Sequence, residues 1–475
     1  MAITPKPTGT ENIWASAGLS IDPTSVKINQ GWVVETPPYQ FENFQRKKEG
    51  EFIQHVNQRG VPEWDAVTEY GIGSLTIASD NQLYQSMTTG NSGNDPIAAP
   101  THWVVAAGSG ALRSPQENII IGGNFGTNPF QRDPTSGLKT VIWGNILTES
   151  ITHTSADRFG TFQNTTAPIT GIVTMEKWAN TPTVLEAGIL SESSLKYEVS
   201  TAQPAILAGN SLACTYIIEG FDFQKIAQQP FILSFWVYAS VAGTYAVEFS
   251  NASPADKFLT TVYTVDAANT WQKIELAIAE TPAAGNWKYD NDKGLVIGFS
   301  LIAGSNSTGT NFDTWETTNN LPAGHVNFLS NVGNIFAINL VKVEPGAIAS
   351  GWVEPLFPDV LARSQRYLQK SYRLSVSPGS LTGTNEILGN LGSSGLVPSF
   401  ATVVAMRDSN ISGTVYSPIT GLKNAARNFT TSLDVAVPES LTNAETNRID
   451  FEVSAGASTG DAILYHYVLD AEFKN

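Results

Sequence analysis

The chain has 475 residues and is acidic, because 43 Asp and Glu outnumber 27 Lys and Arg to give a formal net charge of −16. Nucleic-acid binding is not expected, since neutralising phosphates requires clustered cationic side chains. Only 15% of the residues are charged, whereas 40 are glycine and 11 are tryptophan. This composition is typical of short strands and tight turns around aromatic cores. We therefore expect a mainly β protein of about three or four domains.

Two further features limit the class of protein. The single cysteine, Cys214, can form neither an internal disulfide nor a Cys-rich zinc site, and is expected to be a buried apolar residue. The sequence contains no run of about 18 apolar residues, so neither a transmembrane helix nor membrane insertion is expected. The first residues lack the apolar stretch of a secretory signal, which favours synthesis in a cytosol without signal-directed export.

Residues 1–38 are polar and rich in proline, and they contain Trp14 and Trp32. A segment with so few apolar residues is not expected to fold alone. The two tryptophans therefore predict an attachment segment that orders against another protein. The alternative is a pair of strands that lies on the next domain of the same chain.

Residues 39–60 predict a helix, because two prolines precede them and a glycine ends them. Its apolar side chains lie near one stripe at spacings of three or four residues: Phe41, Phe44, Phe52 and Val56. This stripe must pack on a following domain or on copies of itself. We favour self-association into a homotrimer, although the heptad pattern does not fix the number of helices.

Residues 61–108 predict a small β module with a hairpin over 74–86. A unit this short can bury only a few aromatic side chains. The candidates for that core are also candidates for sugar stacking: Trp64, Tyr70, Tyr84 and Trp103. Both assignments, core packing and ligand contact, remain open at this stage.

A Gly- and Ser-containing linker over 109–117 leads to the longest domain, 118–356. Short alternating runs without intervening helices predict an antiparallel β-sandwich of the jelly-roll type. The predicted strands are 118–122, 231–238, 243–249, 271–276, 295–301 and 336–343, and 290–294 predicts a hairpin turn. A helix over 358–368 then opens a smaller C-terminal β domain, 357–475, whose last predicted strand is 462–469.

No pattern in the sequence predicts catalysis. The five histidines lack a zinc-protease spacing, and neither a Walker loop nor a nucleophile elbow is present. The acid pairs Asp290 with Asp292 and Asp313 with Glu316 are interpreted as turn residues, with calcium binding by these loops as the alternative. We expect no enzyme activity, no cofactor and no metal.

Three aromatic residues of the sandwich stand in polar loops rather than in predicted strands: Trp287, Tyr289 and Trp315. Exposed tryptophan and tyrosine rings stack on the flat faces of sugars without catalytic acids. These side chains are therefore candidate carbohydrate contacts, with packing inside the loops as the alternative.

The N-terminal part of the chain resembles tailed-phage and prophage tail fibre proteins. The resemblance rests on 38–44 (PYQFENF) and on 55–70 (HVNQRGVPEWDAVTEY). In that family a short helix leads into a module similar to chitin-binding-type carbohydrate modules, and the aromatic spacing of 61–108 matches that module. Met87 and Thr88 stand where the module usually carries a further aromatic residue.

The longest domain resembles the carbohydrate-binding type of jelly roll found in phage tail fibres. The matching segments are 118–125 (NIIIGGNF), 234–240 (SFWVYAS), 343–355 (VEPGAIASGWVEP) and 364–367 (SQRY), the last of which leads into a C-terminal β domain. Residues 1–36 and 374–475 carry no such resemblance. The resemblance implies an extended multi-domain fibre that combines a helix, a small aromatic module, a jelly roll and a C-terminal β domain.

The resemblance further implies a structural virion protein of a phage tail, made in the bacterial host cytoplasm. Residues 1–38 would attach it to other tail, baseplate or collar proteins, and its β domains would recognise a host surface glycan. Two alternatives remain. One is a purely structural collar or baseplate fibre without a ligand. The other is a polysaccharide depolymerase, which the absence of a parallel β-helix repeat disfavours.

Overall fold

The computed structural model describes residues 39–79, 82–105, 117–136, 139–142, 150–153, 156–164, 171–252, 254–408, 411–438, 443–445, 448–453 and 455–473. Trp14 and Trp32 lie outside these ranges, and so do the side chains of Phe52 and Val56. The chain divides into two compact units, Met1–Ser114 and Pro115–Asn475.

The first unit contains the predicted N-terminal helix, α1 (Tyr39–Arg59). It ends at Gly60, whose φ of 76° is the left-handed conformation that favours glycine after a helix. Phe41 and Phe44 are half-buried within the unit. The prediction of a helix here is confirmed.

The small module follows as the antiparallel strands β1 (Leu75–Ile77), β2 (Leu83–Ser86) and β3 (Trp103–Val105). The predicted hairpin is formed by β1 and β2. The core of the module consists of aromatic side chains, since Tyr70 and Trp103 meet edge to face with 5.0 Å between ring centroids.

The second unit begins with the domain that was predicted to be a sandwich. Its strands are β4 (Lys139–Ile142), β5 (Ser150–His153), β6 (Phe159–Asn164), β7 (Ile172–Trp178), β8 (Ser194–Thr201), β9 (Ser211–Glu219), β10 (Phe231–Ala239), β11 (Gly243–Ser250), β12 (Phe258–Val265), β13 (Trp271–Ile278), β14 (Lys293–Ala303), β15 (Thr308–Gly309), β16 (Leu321–Pro322) and β17 (Ile335–Pro345). Short helical segments are α2 (Val184–Ala187), α3 (Gly220–Phe223) and the 3₁₀ turns Ser305–Ser307 and Phe328–Ser330.

Within the described residues twelve of these strands form two six-stranded antiparallel sheets, with the orders β13-β10-β17-β8-β7-β4 and β12-β11-β14-β9-β6-β5, and β15 pairs with β16 in parallel. The chain crosses repeatedly from one sheet to the other, as in a jelly roll. Alternation along β13 explains its placement, because Ile274, Leu276 and Ile278 are buried and the residues between them are exposed. The fold is mainly β, as predicted.

The prediction of a strand at 118–122 is wrong, because this segment forms turns. The Asn118 side-chain oxygen accepts hydrogen bonds from the backbone N–H groups of Ile120 and Val343, and these bonds hold the chain in a bend. Ile120 packs in the main core and Ile121 in a separate cluster. Because the apolar residues of this segment pack in two different cores, they do not share one buried face. Their pattern was therefore wrongly interpreted as a strand.

The loop that ends in the predicted hairpin turn 290–294 connects the two sheets instead of closing a hairpin. The strand before the loop, β13, pairs with β10, and the strand after it, β14, pairs with β9 and β11. The loop therefore crosses the end of the sandwich, which decides where its aromatic residues lie.

The C-terminal domain begins with α4 (Phe357–Gln365), which carries Asp359 in its first turn and Arg363 in its last. Its strands are β18 (Leu368–Lys370), β19 (Ile387–Asn390), β20 (Leu396–Ala401), β21 (Ser412–Tyr416), β22 (Ala425–Asn428), β23 (Leu433–Ala436), β24 (Asn443–Glu445), β25 (Arg448–Glu452) and β26 (Ala462–Asp470). The predicted last strand is β26, and it pairs with β18, β19, β21 and β22.

A buried ion pair joins the sandwich to the end of the C-terminal domain. The side chains of Arg158 and Glu472 are 1% and 0% exposed and are directly hydrogen-bonded. The Arg158 guanidinium also donates to the carbonyl of Ile217 at 2.7 Å and lies 3.4 Å from the ring centre of Tyr367. Burial by itself lowers the pKa of Arg158, but the charge and hydrogen bond of Glu472 together with the nearby Tyr367 and Tyr216 outweigh burial, so this pKa is raised.

A second contact strengthens the same junction. Arg366 binds the carboxylate of Glu219, with Nε 3.0 Å from Oε2, and the hydroxyl of Tyr367 donates to that carboxylate. Arg366 and Tyr367 belong to the predicted SQRY stretch at 364–367, so this stretch connects the two domains. Its role in the structure is to fix the junction.

The sulfur of Cys214 is buried in the main core, and burial raises the pKa of its thiol to about 12. The expectation of a buried cysteine is confirmed. Within the described ranges, no helix combines the length and hydropathy needed to cross a bilayer. In the same ranges, no three His, Cys, Asp or Glu side chains are grouped so that they could hold a metal ion.

Removing one partner of the buried pair should be strongly destabilising. Arg158→Met removes the cation that is directly hydrogen-bonded to the buried carboxylate of Glu472, while Arg132 stays 3.9 Å from that carboxylate, so we expect the free energy of unfolding to fall by about 3–5 kcal/mol. Urea unfolding of the full chain, followed by tryptophan fluorescence, measures this loss. Lys273→Met is the control, because its pair with Glu275 is almost half exposed (47% and 43%) and should contribute less than about 1 kcal/mol. Equal losses for the two variants would contradict the assignment.

Candidate functional site

Four aromatic side chains converge at the end of the sandwich where β9 ends and β14 begins, and we call them the aromatic end cluster: Phe223, Trp287, Tyr289 and Trp315. The Phe223 ring stacks on Trp287 at 5.2 Å between centroids and on Tyr289 at 5.8 Å, with interplanar angles of 24° and 13°. Trp315 meets Trp287 edge to face at 5.4 Å. The structure thus brings together the three sandwich residues that were predicted to contact sugar.

The members of the aromatic end cluster differ in exposure. Trp287 is only 8% exposed and belongs to the main core, which favours the alternative of packing inside the loops for this residue. The Trp287 ring packs against Phe223 and Trp315. Trp315 is partly buried, and its indole N–H donates to the carbonyl of Ala279 at 3.3 Å. Tyr289 remains 38% exposed.

The loop that carries Tyr289 is held against α3 by the backbone. The N–H of Gly220 donates to the carbonyl of Asp292 at 2.8 Å, and the N–H of Phe221 donates to the carbonyl of Asp290 at 2.9 Å. The Gln224 side chain adds a bond of 2.6 Å to the carbonyl of Tyr289. The loop approaches so closely that a Cβ at position 220 would lie 2.6 Å from the backbone of Asp290. Glycine is therefore required at this position.

The arrangement suits stacking of a flat ligand. One face of Tyr289 rests on Phe223, so the ring is fixed before a ligand arrives and little conformational entropy is lost on binding. Asp290 accepts a hydrogen bond from the N–H of Asp292 at 3.0 Å, which makes it a turn residue as interpreted from the sequence. The N–H of Asp313 likewise donates to the carbonyl of Thr260 at 2.9 Å within a loop.

The aromatic residues of the small module form its core. Tyr70, Tyr84 and Trp103 are buried, and the indole N–H of Trp103 donates to the carbonyl of Asn94 at 2.7 Å. Trp64 is partly buried and packs against this group. The burial of these three residues favours core packing, the first of the two assignments that the sequence left open.

The segments that carry the resemblance to tail fibres serve a structural purpose in the sandwich. Glu354 accepts hydrogen bonds from the side chains of Asn124 at 2.8 Å, Thr127 at 2.7 Å and Trp352 at 2.7 Å. A Cβ at Gly123 would lie 2.0 Å from the carbonyl of Val341, so glycine is required there. The matched segments 118–125 and 343–355 are thus joined by the hydrogen bond between Asn124 and Glu354.

Sequence reasoning assigned no role to Phe221 and Phe223, which follow β9 on one helical turn. Phe223 is the fully buried member of the aromatic end cluster, whereas Phe221 is 54% exposed. The only signal in the sequence is the pair of aromatic residues two positions apart in 220–223 (GFDF), since residues two apart on a helix point to different sides.

No family model matches the chain, and no curated protein matches it. Solved structures that resemble it include the enzymatically active domain of tailspike protein 4 from bacteriophage CBA120, at 14% identity and a TM-score of 0.24, over 48% of this chain and 21% of that chain. A family 61 carbohydrate-binding module in complex with β-1,4-galactotriose is 9% identical with a TM-score of 0.24, over 49% of this chain and 100% of that chain.

A third similar structure is the family 11 carbohydrate-binding module of a cellulosomal cellulase from Clostridium thermocellum. It is 12% identical with a TM-score of 0.23, over 44% of this chain and 95% of that chain. The neighbours therefore include carbohydrate-binding modules and a phage tailspike domain. Identities and TM-scores this low assign no ligand and no site residue to the present chain.

The close approach at Gly220 can be tested by adding one methyl group. Gly220→Ala should push the 288–292 loop away from α3 and lower the free energy of unfolding by about 1–3 kcal/mol. Near-ultraviolet circular dichroism should change with it, because the stacked rings of the aromatic end cluster separate. Gly324→Ala is the matched control, since a Cβ there meets nothing within 4 Å. Identical spectra and stabilities for both variants would contradict this account.

Proposed function

We propose that this chain is a structural virion fibre protein of a phage tail that recognises a host surface glycan through its β domains. Tyr289 carries the proposal, because its ring is 38% exposed at the end of a β-sandwich and is held from below by Phe223. An exposed, pre-fixed aromatic ring stacks on the apolar face of a sugar. The resemblance of 38–70 and 118–367 to tail fibre proteins supports the same function.

Attachment and assembly complete the proposal. Residues 1–38, with Trp14 and Trp32, would bind other tail, baseplate or collar proteins. The helix α1 would associate with copies of itself in a homotrimer through a stripe that includes Phe41 and Phe44. The half-burial of both side chains on α1 is compatible with such a stripe.

A fibre without a ligand is the second candidate, and one observation favours it. The aromatic residues of the small module, which resembles a carbohydrate-binding module, are used in its own core. Under this alternative the chain would be a collar or baseplate fibre, and Tyr289 would be a surface residue without a function. The binding experiment below separates the two candidates.

Replacing the exposed ring should weaken glycan binding. Tyr289→Ala should reduce affinity on an array of bacterial surface oligosaccharides by about tenfold, since an aromatic contact contributes about 0.5–1.5 kcal/mol beyond its buried area. Phe429→Ala is the matched control, because Phe429 is an exposed aromatic residue of the C-terminal domain. If the intact protein binds no glycan on the array and none on host cells, the fibre without a ligand is favoured. Release of reducing ends from host polysaccharide would instead favour the depolymerase.

The assembly has a separate test. Light scattering of the purified chain should give three times the monomer mass of 51.0 kDa. Phe44→Ser should shift the mass towards the monomer, because it places a hydroxyl in the proposed helix interface. Glu49→Ser, at an exposed position of the same helix, should leave the mass unchanged. A mass of 51.0 kDa for the unmodified protein would exclude the trimer.

A further inference from the structure

Two cavities adjoin where the sandwich meets α4. The first has a volume of about 450 Å³ and lies between 117–122, 353–355 and the body of α4. The second has a volume of about 470 Å³ and lies between α3 and 363–367. Ile121 and Arg363 line both cavities, so the two are neighbours. Their combined size is in the range of small-molecule sites in proteins, about 300–1,000 Å³.

The second cavity has an aromatic wall. Phe221 lines it and is 54% exposed, although Phe223 on the same helical turn is fully buried. The backbone of Phe221 is fixed, because its N–H donates to the carbonyl of Asp290, the neighbour of Tyr289. Two exposed aromatic residues, Phe221 and Tyr289, are therefore carried by backbone segments that are hydrogen-bonded to each other.

The polar groups of the walls form pairs of opposite charge. Arg363 lies 3.7 Å from a carboxylate oxygen of Glu117 and 3.9 Å from one of Asp222, and it donates to the carbonyl of Ile119 at 3.3 Å. Arg366 is bound to Glu219. Cations and carboxylates side by side offer both donors and acceptors to a ligand, as the neighbouring hydroxyls of a sugar require.

The same charges exclude other ligands. Each arginine is already neutralised by a carboxylate, and Asp359 adds a further acid to the walls. An anionic ligand would therefore meet no uncompensated cation, and the chain as a whole carries a net charge of −16. A purely apolar ligand would leave the charged groups of the walls without water. A neutral polyol with one apolar face fits all of these conditions.

We propose that these two cavities are a second saccharide subsite, in which Phe221 stacks on a neutral sugar unit and Asp222 and Arg363 bind its hydroxyls. This inference rests on the proposed glycan recognition by Tyr289. A glycan chain seated on Tyr289 continues past α3 towards α4, so residues from the start of the C-terminal domain take part in recognition. Affinity consequently rises with the number of sugar units until both subsites are filled.

The test uses the full chain and a series of neutral oligosaccharides graded from monosaccharide to hexasaccharide, taken from the glycan that binds best on the array. Affinity is measured by isothermal titration calorimetry for the unmodified protein, Phe221→Ala, Tyr289→Ala and the control Phe429→Ala. Phe221→Ala should weaken binding of the hexasaccharide by about tenfold and leave the shortest ligand that binds unchanged. Tyr289→Ala should weaken binding of every member. Phe221→Trp, which keeps an aromatic face, should retain the dependence on length.

The outcomes separate this inference from the proposed function. If Phe221→Ala binds the whole series as the unmodified protein does, while Tyr289→Ala binds it less well, the second subsite is wrong and glycan recognition stands. If Phe221→Ala changes the mass in light scattering but not the affinities, the cavities are a contact between chains and the subsite is also wrong. If the unmodified protein binds no member of the array, both proposals fail.

Discussion

The burial of Arg158 beneath Tyr367 is the constraint on which the second unit depends. A guanidinium without water needs a carboxylate and further acceptors, and here Glu472 and the carbonyl of Ile217 provide them. Glu472 lies almost at the C-terminal end of the chain, whereas Ile217 lies in the sandwich. The charge can therefore be satisfied only when the C-terminal domain has folded back onto the sandwich, which also places α4 beside α3.

At the end of the sandwich, buried aromatic rings and exposed aromatic rings have different roles. Phe223 and Trp287 are buried and support the aromatic end cluster, while Tyr289 and Phe221 are exposed and available to the proposed ligand. Each exposed ring lies beside a buried one on a short backbone segment, and these segments are held together by bonds to Gly220 and Phe221. Recognition by pre-fixed rings needs this rigidity, because each ring that must be ordered on binding reduces affinity.

Regular strands could be predicted from the sequence, and irregular segments could not. Burial alternates along β13, since a strand with one buried face repeats every two residues. The strands β10, β14 and β17 are buried along most of their length, and they were predictable as short runs of β-branched and aromatic residues bounded by turn residues. The same reasoning failed at 118–122, where consecutive isoleucines serve two cores. The loops have no periodic pattern of apolar residues from which burial could be predicted. The burial of Trp287 depends on its contact with Phe223, which is 64 positions away in the sequence. Composition therefore suggested aromatic contacts in the loops but could not separate Trp287 from Tyr289.

The burial of Cys214 has a practical consequence for labelling the protein. Its thiol is enclosed in the main core and stays protonated at neutral pH, so it does not react with maleimides while the protein is folded. Because the sequence has a single cysteine, any cysteine introduced at the surface would be the one reactive thiol of each chain. A fluorophore or a gold cluster could then be attached at a chosen position without first replacing the native cysteine, and the proposed place of the chain in a virion could be imaged directly.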